Sequence, residues 1–288
     1  QQMKRLISVA PWFFILIWSS GFVVAKFAFR GADALFFLSI RLILAAAILF
    51  LITVALRQPI RISRRDLGAS LAIGVALHGL YLGGVWYAIE LGAPSGLSSV
   101  ITSMQPIFVS LFAVRVLGEE LSRKQIFGLV SGLSGVILVV LPKLSHSGGF
   151  TIESLAFLIL ALIGSTVATL LQKKIGHSIP LMIGTTYQFA IAGLLLLGIA
   201  LLQGQTRFEV TSTTAWAMAW AVLVTSIAAV LLLLWLLNRG SAAKVSSLLY
   251  LVPPMAVLQA LIFFNEKINA QAIIGIAMTA LGVALVIQ

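Results

Sequence analysis

Six polar and aromatic side chains lie inside long apolar stretches of the sequence and are candidates for binding a small molecule. Such residues are costly in an apolar stretch and usually face an interior or a water-filled cavity. His78 and Tyr81 are three residues apart, so a helix would place them on one face. An imidazole beside a phenol can donate and accept hydrogen bonds, and a histidine bonded between helices is the structural alternative. The other candidates are Trp18, Ser103, Gln105 and Tyr250.

The remaining candidates also have structural alternatives. Trp18 and Tyr250 fall far from the ends of their apolar stretches, where an aromatic ring either stacks on a substrate or fills a helix bundle. Ser103 suits close helix packing as well as a polar cavity wall. Gln105 is a candidate cavity residue with no separate role that the sequence defines.

Two cations stand apart as structural or gating candidates. Lys26 nears the end of the first apolar stretch, and Arg41 lies about 12 Å into the second, at a helical rise of ~1.5 Å per residue. As structural residues, both cations either snorkel outwards to the end of their span or pair with Asp33 or Glu90. Alternatively, they make the adjoining part of a cavity attractive to carboxylates.

Prolines within two apolar stretches predict kinks that act as hinges or shape a cavity. Pro106 follows Gln105 in mid-stretch, and Pro253 with Pro254 occupies the equivalent place later in the chain. A proline in a helix frees a carbonyl one turn back and bends the helix.

The elements that position these residues are predicted to be membrane-spanning helices. Only 9% of residues are charged and 60% are hydrophobic, against about 25% charged in a typical soluble domain. Apolar runs long enough to cross a hydrocarbon layer of ~30 Å recur along the chain, and only helices satisfy every backbone amide there. We predict ten spans, at residues 10–29, 34–56, 67–89, 94–114, 125–141, 153–172, 180–202, 213–236, 243–263 and 269–287.

The net charge of +11 reflects orientation in the membrane rather than a nucleic-acid partner. With ten spans, 13 of the 19 cations fall at one side, which the positive-inside rule assigns to the cytoplasm together with both termini. We therefore expect a multi-pass protein of the bacterial inner membrane. Trp12, Trp86, Trp216 and Trp220 fall near span ends, where tryptophan usually anchors in the headgroup region.

The chain contains an internal duplication, which predicts two units at residues 1–146 and 147–288. Gly92 and Gly240 begin matching segments, and Pro106, Glu119, Gly128 and Gly135 recur as Pro254, Glu266, Gly275 and Gly282. Five spans per unit is an odd number, so the second unit enters the membrane from the opposite face. Glu119 is then cytoplasmic and Glu266 external. Inverted repeats of this kind are typical of secondary transporters.

Several segments together resemble the EamA-type branch of the drug/metabolite transporter superfamily. They are the run from Trp18 to Lys26, Arg41 with the following alanines, Pro106 ahead of Leu117-Gly118-Glu119, and the span containing Gly128 and Gly135. The resemblance covers essentially the whole chain and looks closest to bacterial exporters of amino acids, including aromatic ones. The second unit departs from the pattern, with Asn265 before Glu266 in place of glycine and Gly164 where Trp18 would pair.

The resemblance implies alternating-access export of small neutral or aromatic amino acids and related metabolites. Sugars, nucleotide conjugates, phosphorylated compounds and drugs are the alternative substrates. We expect no enzyme activity, because the sequence has no paired carboxylates and no zinc-protease motif. A channel is an alternative to a carrier, and saturable flux would distinguish a carrier from a channel. We further expect a monomer in the lipid bilayer with no metal or cofactor and no nucleic-acid partner.

Overall fold

The computed structural model describes residues 2–116, 118, 120–144, 150–176, 178–232 and 252–287. Within these ranges the chain forms ten helices and a single isolated β-bridge between Ala32 and Phe208. The helices are α1 (Gln2–Ala28), α2 (Ala34–Ala55), α3 (Arg64–Glu90), α4 (Ser95–Val116), α5 (Arg123–Leu144), α6 (Ile152–Ile175), α7 (Leu181–Gln203), α8 (Ser212–Leu232), α9 (Val252–Phe264) and α10 (Ala270–Ile287).

Seven of these helices, α2 to α8, are long and apolar enough to cross a membrane, and α1, α9 and α10 contain shorter apolar segments. Apolar side chains cover the outside of the bundle: Leu51 is 65% exposed and Ile262 is 67% exposed. Serines and threonines such as Ser39 and Thr53 are fully buried instead. Because so large an exposed apolar surface is unfavourable in water and suited to lipid, the chain is a polytopic membrane protein.

Two closely packed pairs hold the bundle together, α2 against α7 and α5 against α10. The α5–α10 contact depends on glycines, because a Cβ on Gly135 would come within 2.5 Å of the Gly275 carbonyl oxygen. A Cβ on Gly282 would likewise come within 2.5 Å of the Gly128 carbonyl oxygen. Glycine at these positions allows the two backbones to touch.

Helices α3 and α8 each contain a π-helical segment, Val75–Leu82 in α3 and Trp220–Ala228 in α8. A π-turn widens the helix locally, shifts the side chains that follow and is frequent at functional sites. Gly164 of α6 packs against the first segment, where an added Cβ would lie 2.7 Å from the Ala76 carbonyl oxygen. A tryptophan here, as at Trp18 of the first unit, would prevent that approach.

The helices are held together by different contacts at the two ends of the bundle. We call these the Asp33 end and the Lys173 end. At the Asp33 end, the Asp33 N–H donates to the Arg207 carbonyl, and Asp33 also forms an ion pair with Arg207 at 3.5 Å. The Glu90 carboxylate accepts from the Ala34 N–H there, capping α2. At the opposite, Lys173 end, the contacts include a long hydrogen bond of 3.4 Å from Ser178 to Asp66.

Candidate functional site: a cavity within the helix bundle

A cavity of about 410 Å³ lies within the bundle. Its wall is formed by α1, α2, α3, α6, α7 and α8. It extends from Arg41 and Trp86 to Gln172 and Lys173, so its long direction runs towards the Lys173 end. Most of the wall is apolar or aromatic with a few polar groups, as in pockets that bind small molecules.

Arg41 is the buried charge of this cavity. Its residue is only 6% exposed, and its guanidinium carbon lies 5.6 Å from the centre of the Trp86 ring. Nε donates to Ser226 Oγ at 3.2 Å and Nη2 donates to Thr225 Oγ1 at 3.0 Å, while Nη1 has no hydrogen-bond partner among the described residues. The guanidinium is therefore held by neutral groups and keeps one donor nitrogen free.

The expected acidic partners of the two cations were wrong. Asp33 pairs with Arg207 and Glu90 caps α2, so neither carboxylate neutralises Arg41. Lys26 pairs with Glu266 instead. Asp33, just before α2, and Glu90, at the end of α3, bind other groups at the end of the bundle. The spacing of residues along the sequence does not reveal these partners.

Three other predicted binding residues also line the cavity: Trp18, His78 and Tyr81. The His78 ring meets Phe189 edge-on at 4.8 Å, and its Nε2 is buried with no hydrogen-bond partner in the part of the chain that the structure describes. Both His78 and Tyr81 belong to the π-helical segment of α3. The π-helical segment therefore contributes an imidazole and a phenol to the cavity wall.

The prediction for Trp86 was wrong, because this tryptophan is not a membrane-interface anchor. It is 1% exposed and stacks on Phe37 with ring centres 5.4 Å apart. Phe29 meets it edge-on, and Phe208 stacks on the far side of Phe37. These four rings, which we call the aromatic plug, connect the cavity wall at Trp86 to Phe208 in the segment before α8.

An ion pair connects α1 to the loop between α9 and α10 at the Asp33 end. The Lys26 ammonium donates to Glu266, whose carboxylate also accepts from the Ser95 and Gly96 N–H groups. Burial raises the pKa of Glu266, but the hydrogen bond and charge of Lys26 with these N–H groups outweigh it and lower the pKa overall. A carboxylate at the N-terminus of α4 is also favoured by the helix dipole.

A backbone turn at Asn265 brings Glu266 to this position. The Asn265 backbone has φ of 52°, in the left-handed region, and Gly118 has φ of 71°. Asparagine tolerates this conformation better than other non-glycine residues. The residues that precede Glu119 and Glu266 in the sequence therefore share a left-handed backbone conformation.

The other predicted residues lie outside the cavity wall. Gln105 acts on it indirectly, because its Nε2 donates at 2.5 Å to Thr169 Oγ1, which lines the cavity. Ser103 donates to the Val100 carbonyl where α4 is interrupted, between Thr102 and Gln105. Pro106 follows the interruption. Tyr250 lies outside the described residues, and Pro253 and Pro254 lie at the beginning of the described part of α9.

Sequence reasoning missed several cavity residues. Thr225 and Ser226 hold Arg41, and Thr185 and Phe189 of α7 complete the wall. Gln188 also lines the cavity, although its sequence position alone defined no role. A Thr-Ser pair in the middle of an apolar span was the one signal that marked the first two.

The fold and the cavity define a membrane transport protein, and the comparison with known families agrees. The model of the EamA-like transporter family matches residues 10–141 and, separately, residues 153–288. The chain therefore belongs to the EamA-like transporter family.

Relatives of similar length cover nearly the whole chain. The uncharacterized transporter sll0355 of Synechocystis is 25% identical over 98% of this chain and 89% of its own. A protein of Escherichia coli K12 named a probable amino-acid metabolite efflux pump is 24% identical over 97% of this chain and 94% of its own. One solved crystal structure has a TM-score of 0.69 at 16% identity, covering 97% of this chain and 95% of that one, so the fold is shared.

Proposed function

We propose that the protein is a secondary transporter that exports small neutral or aromatic amino acids and related metabolites. The observation that carries this proposal is the cavity of about 410 Å³, in which aromatic rings surround Arg41 and His78. Its size suits an amino acid. Aromatic rings offer contact area for an apolar side chain, and Arg41 offers a donor for a carboxylate. The name of the Escherichia coli relative supports the same substrate class.

The mechanism we propose is alternating access between two inverted five-helix halves, residues 1–146 and 147–288, with ten membrane spans. The glycine contacts support the inversion. Gly128 meets Gly282 while Gly135 meets Gly275, and exchanging each residue for its repeat counterpart converts one contact into the other. A twofold axis between α5 and α10 requires this reciprocity.

The contacts at the two ends of the cavity support an inward-open conformation, in which the cavity opens towards the cytoplasm. The aromatic plug, the Lys26–Glu266 ion pair and the Asp33–Arg207 pair close the Asp33 end. At the other end the wall continues to Lys173, in a basic region that the positive-inside rule assigns to the cytoplasm. We therefore place both termini in the cytoplasm of an inner-membrane protein, ready to receive substrate from inside.

Cationic drugs fit the cavity poorly. The described wall contains Arg41 and Lys173 but no aspartate or glutamate. A cation exchanged for protons ordinarily needs a carboxylate at mid-depth. This feature favours amino acids over cationic drugs as substrates.

Uptake of a labelled amino-acid panel into liposomes that contain the purified protein tests the proposal. We expect saturable uptake of at least one aromatic or small neutral amino acid. The absence of saturable flux for every member of the panel would contradict the amino-acid assignment and leave other metabolites as substrates.

A further inference from the structure

The charge balance around Arg41 carries an inference about what the cavity selects. A buried guanidinium without a counter-ion is expensive, because desolvation of the charge is not repaid by an opposite charge. Arg41 is 6% exposed, and its observed hydrogen-bond acceptors are two neutral hydroxyls. Such a charge is expected where a ligand supplies the missing partner.

The two hydroxyls hold the guanidinium in place without neutralising it. Thr225 Oγ1 and Ser226 Oγ both donate to the Ala221 carbonyl, at 2.8 Å and 2.9 Å, so their lone pairs face Arg41. The π-helical segment of α8 allows both residues to reach this one carbonyl. The arrangement orients Nε and Nη2 and leaves Nη1 available.

Three carboxylates at the Asp33 end of the bundle have partners other than Arg41. Asp33 pairs with Arg207, Glu90 caps α2 and Glu266 pairs with Lys26. Lys173, at the far end of the cavity, adds a second positive charge. Both charged side chains in the described part of the cavity wall, Arg41 and Lys173, are therefore cations.

A substrate ammonium finds no carboxylate in the described part of this wall. The acceptors there are neutral and include the hydroxyls of Tyr81, Thr169 and Thr185 and the amides of Gln172 and Gln188. Repulsion by Arg41 opposes an ammonium placed beside a bound carboxylate. The wall favours a carboxylate attached to an apolar or aromatic body, whether or not an amino group is present.

We propose that Arg41 binds the substrate carboxylate and that the cavity recognises apolar and aromatic monocarboxylates as a class, with no requirement for an α-amino group. This proposal rests on the proposed transport function and extends its substrate class to compounds such as aryl-substituted propanoates. Trp18, which is 39% exposed, supplies aromatic surface for the substrate body.

Binding to the purified full-length protein, measured by calorimetry or tryptophan fluorescence, tests the proposal. The probes are phenylalanine, 3-phenylpropanoate, phenethylamine and phenylalanine amide. We expect 3-phenylpropanoate to bind at least as tightly as phenylalanine, and the two compounds without a carboxylate to bind at least ~10-fold more weakly. Equal or tighter binding of phenethylamine would overturn the proposal.

Variants separate a binding role of Arg41 from a structural one. Arg41→Gln should weaken binding of both carboxylates at least ~10-fold while leaving the thermal unfolding temperature unchanged or higher, because an uncompensated buried charge is removed. The matched control is Arg61→Gln, since Arg61 is exposed in the loop between α2 and α3 and does not line the cavity. Unchanged carboxylate binding by Arg41→Gln, or unfolding with loss of all structure, would contradict the proposal.

Failure of the carboxylate inference can be distinguished from failure of the export proposal. If liposomes transport phenylalanine but the protein does not bind 3-phenylpropanoate, the carboxylate inference fails and amino-acid export stands. If 3-phenylpropanoate binds in an Arg41-dependent manner but no amino acid is transported, the inference stands and the export proposal fails.

Discussion

Trp18 and Trp12 lie on α1 six residues apart and differ in what their indole rings face. Trp18 lines the cavity and is 39% exposed, whereas Trp12 is 54% exposed and does not line it. Neither ring is part of the buried core, so neither is needed for tight packing. The pair therefore separates a role in substrate contact from a role in stability.

We predict that Trp18→Ala reduces transport at least ~10-fold, through the loss of ring contact with the substrate, while the unfolding temperature falls by no more than a few degrees. Trp12→Ala should leave transport near the wild-type rate. Transport in liposomes and thermal unfolding in detergent measure the two effects. Equal transport by both variants would place the substrate elsewhere.

The sequence predicted part of the cavity at the level of single residues. His78, Tyr81 and Trp18 could be found because a polar or large aromatic group in mid-span is costly unless it faces an interior. Thr185 and Phe189 could not, because threonine and phenylalanine are ordinary residues in any span. Their position depends on how α7 packs against α2 and α3. Trp86 was misassigned because closeness to a span end does not distinguish lipid from the bundle interior.

At the scale of helices, a Gly→Ala substitution should have different effects inside and outside the α5–α10 contact. Gly282→Ala should destabilise the protein by ~1–3 kcal/mol, because its Cβ would meet Gly132 N and the Gly128 carbonyl oxygen. Gly198→Ala on α7 should be neutral or stabilising, since nothing lies within 4 Å of its Cβ and alanine favours helix. Thermal unfolding of both variants decides the matter, and a stabilising Gly282→Ala would contradict the observed packing.

The Lys26–Glu266 contact should hold the Asp33 end closed. Gly21 lines the cavity with free space at its Cβ, and the chain has no native cysteine, so Gly21→Cys reports access to the cavity. We predict that Glu266→Gln increases labelling of this cysteine by an impermeant thiol reagent from outside. Glu209→Gln, whose side chain is 59% exposed at the same end, should not.

The pH dependence of this labelling follows from the pKa of Glu266. Because the folded-state pKa is lowered from its ordinary value of 4.5, the ion pair is fully present above that value. It is lost only as the pH falls through the lowered pKa. Outside labelling of Gly21→Cys should therefore stay constant between about pH 8 and 5 and increase only in stronger acid. An increase near neutral pH would show that another group controls closure.

Helix positions were predictable and helix irregularities were not. The predicted span 34–56 corresponds to Ala34–Ala55, and the predicted span 180–202 to Leu181–Gln203, because apolar runs ended by charged or glycine-containing segments set these limits. The π-helical segments leave no comparable pattern. They arise where packing shifts a turn, as at the contact between α3 and Gly164.

At the scale of the whole molecule, the proposed inversion makes a topological prediction. Single cysteines at Glu120 and Lys267, both exposed, mark the ends of the fourth and ninth predicted spans. In intact cells an impermeant thiol reagent should label Lys267→Cys but label Glu120→Cys only after permeabilisation. The cysteine-free parent chain is the control, and labelling of both positions from one compartment would contradict inverted halves.

Counterflow in liposomes tests the central claim, that the protein is a carrier with one cavity exposed alternately to each side. Liposomes are loaded with unlabelled phenylalanine, and entry of labelled phenylalanine is followed over time. A carrier predicts transient accumulation of label above its external concentration, saturating with external substrate and strongly reduced by Trp18→Ala. A flux that neither saturates nor responds to internal phenylalanine would contradict the account and indicate a pore.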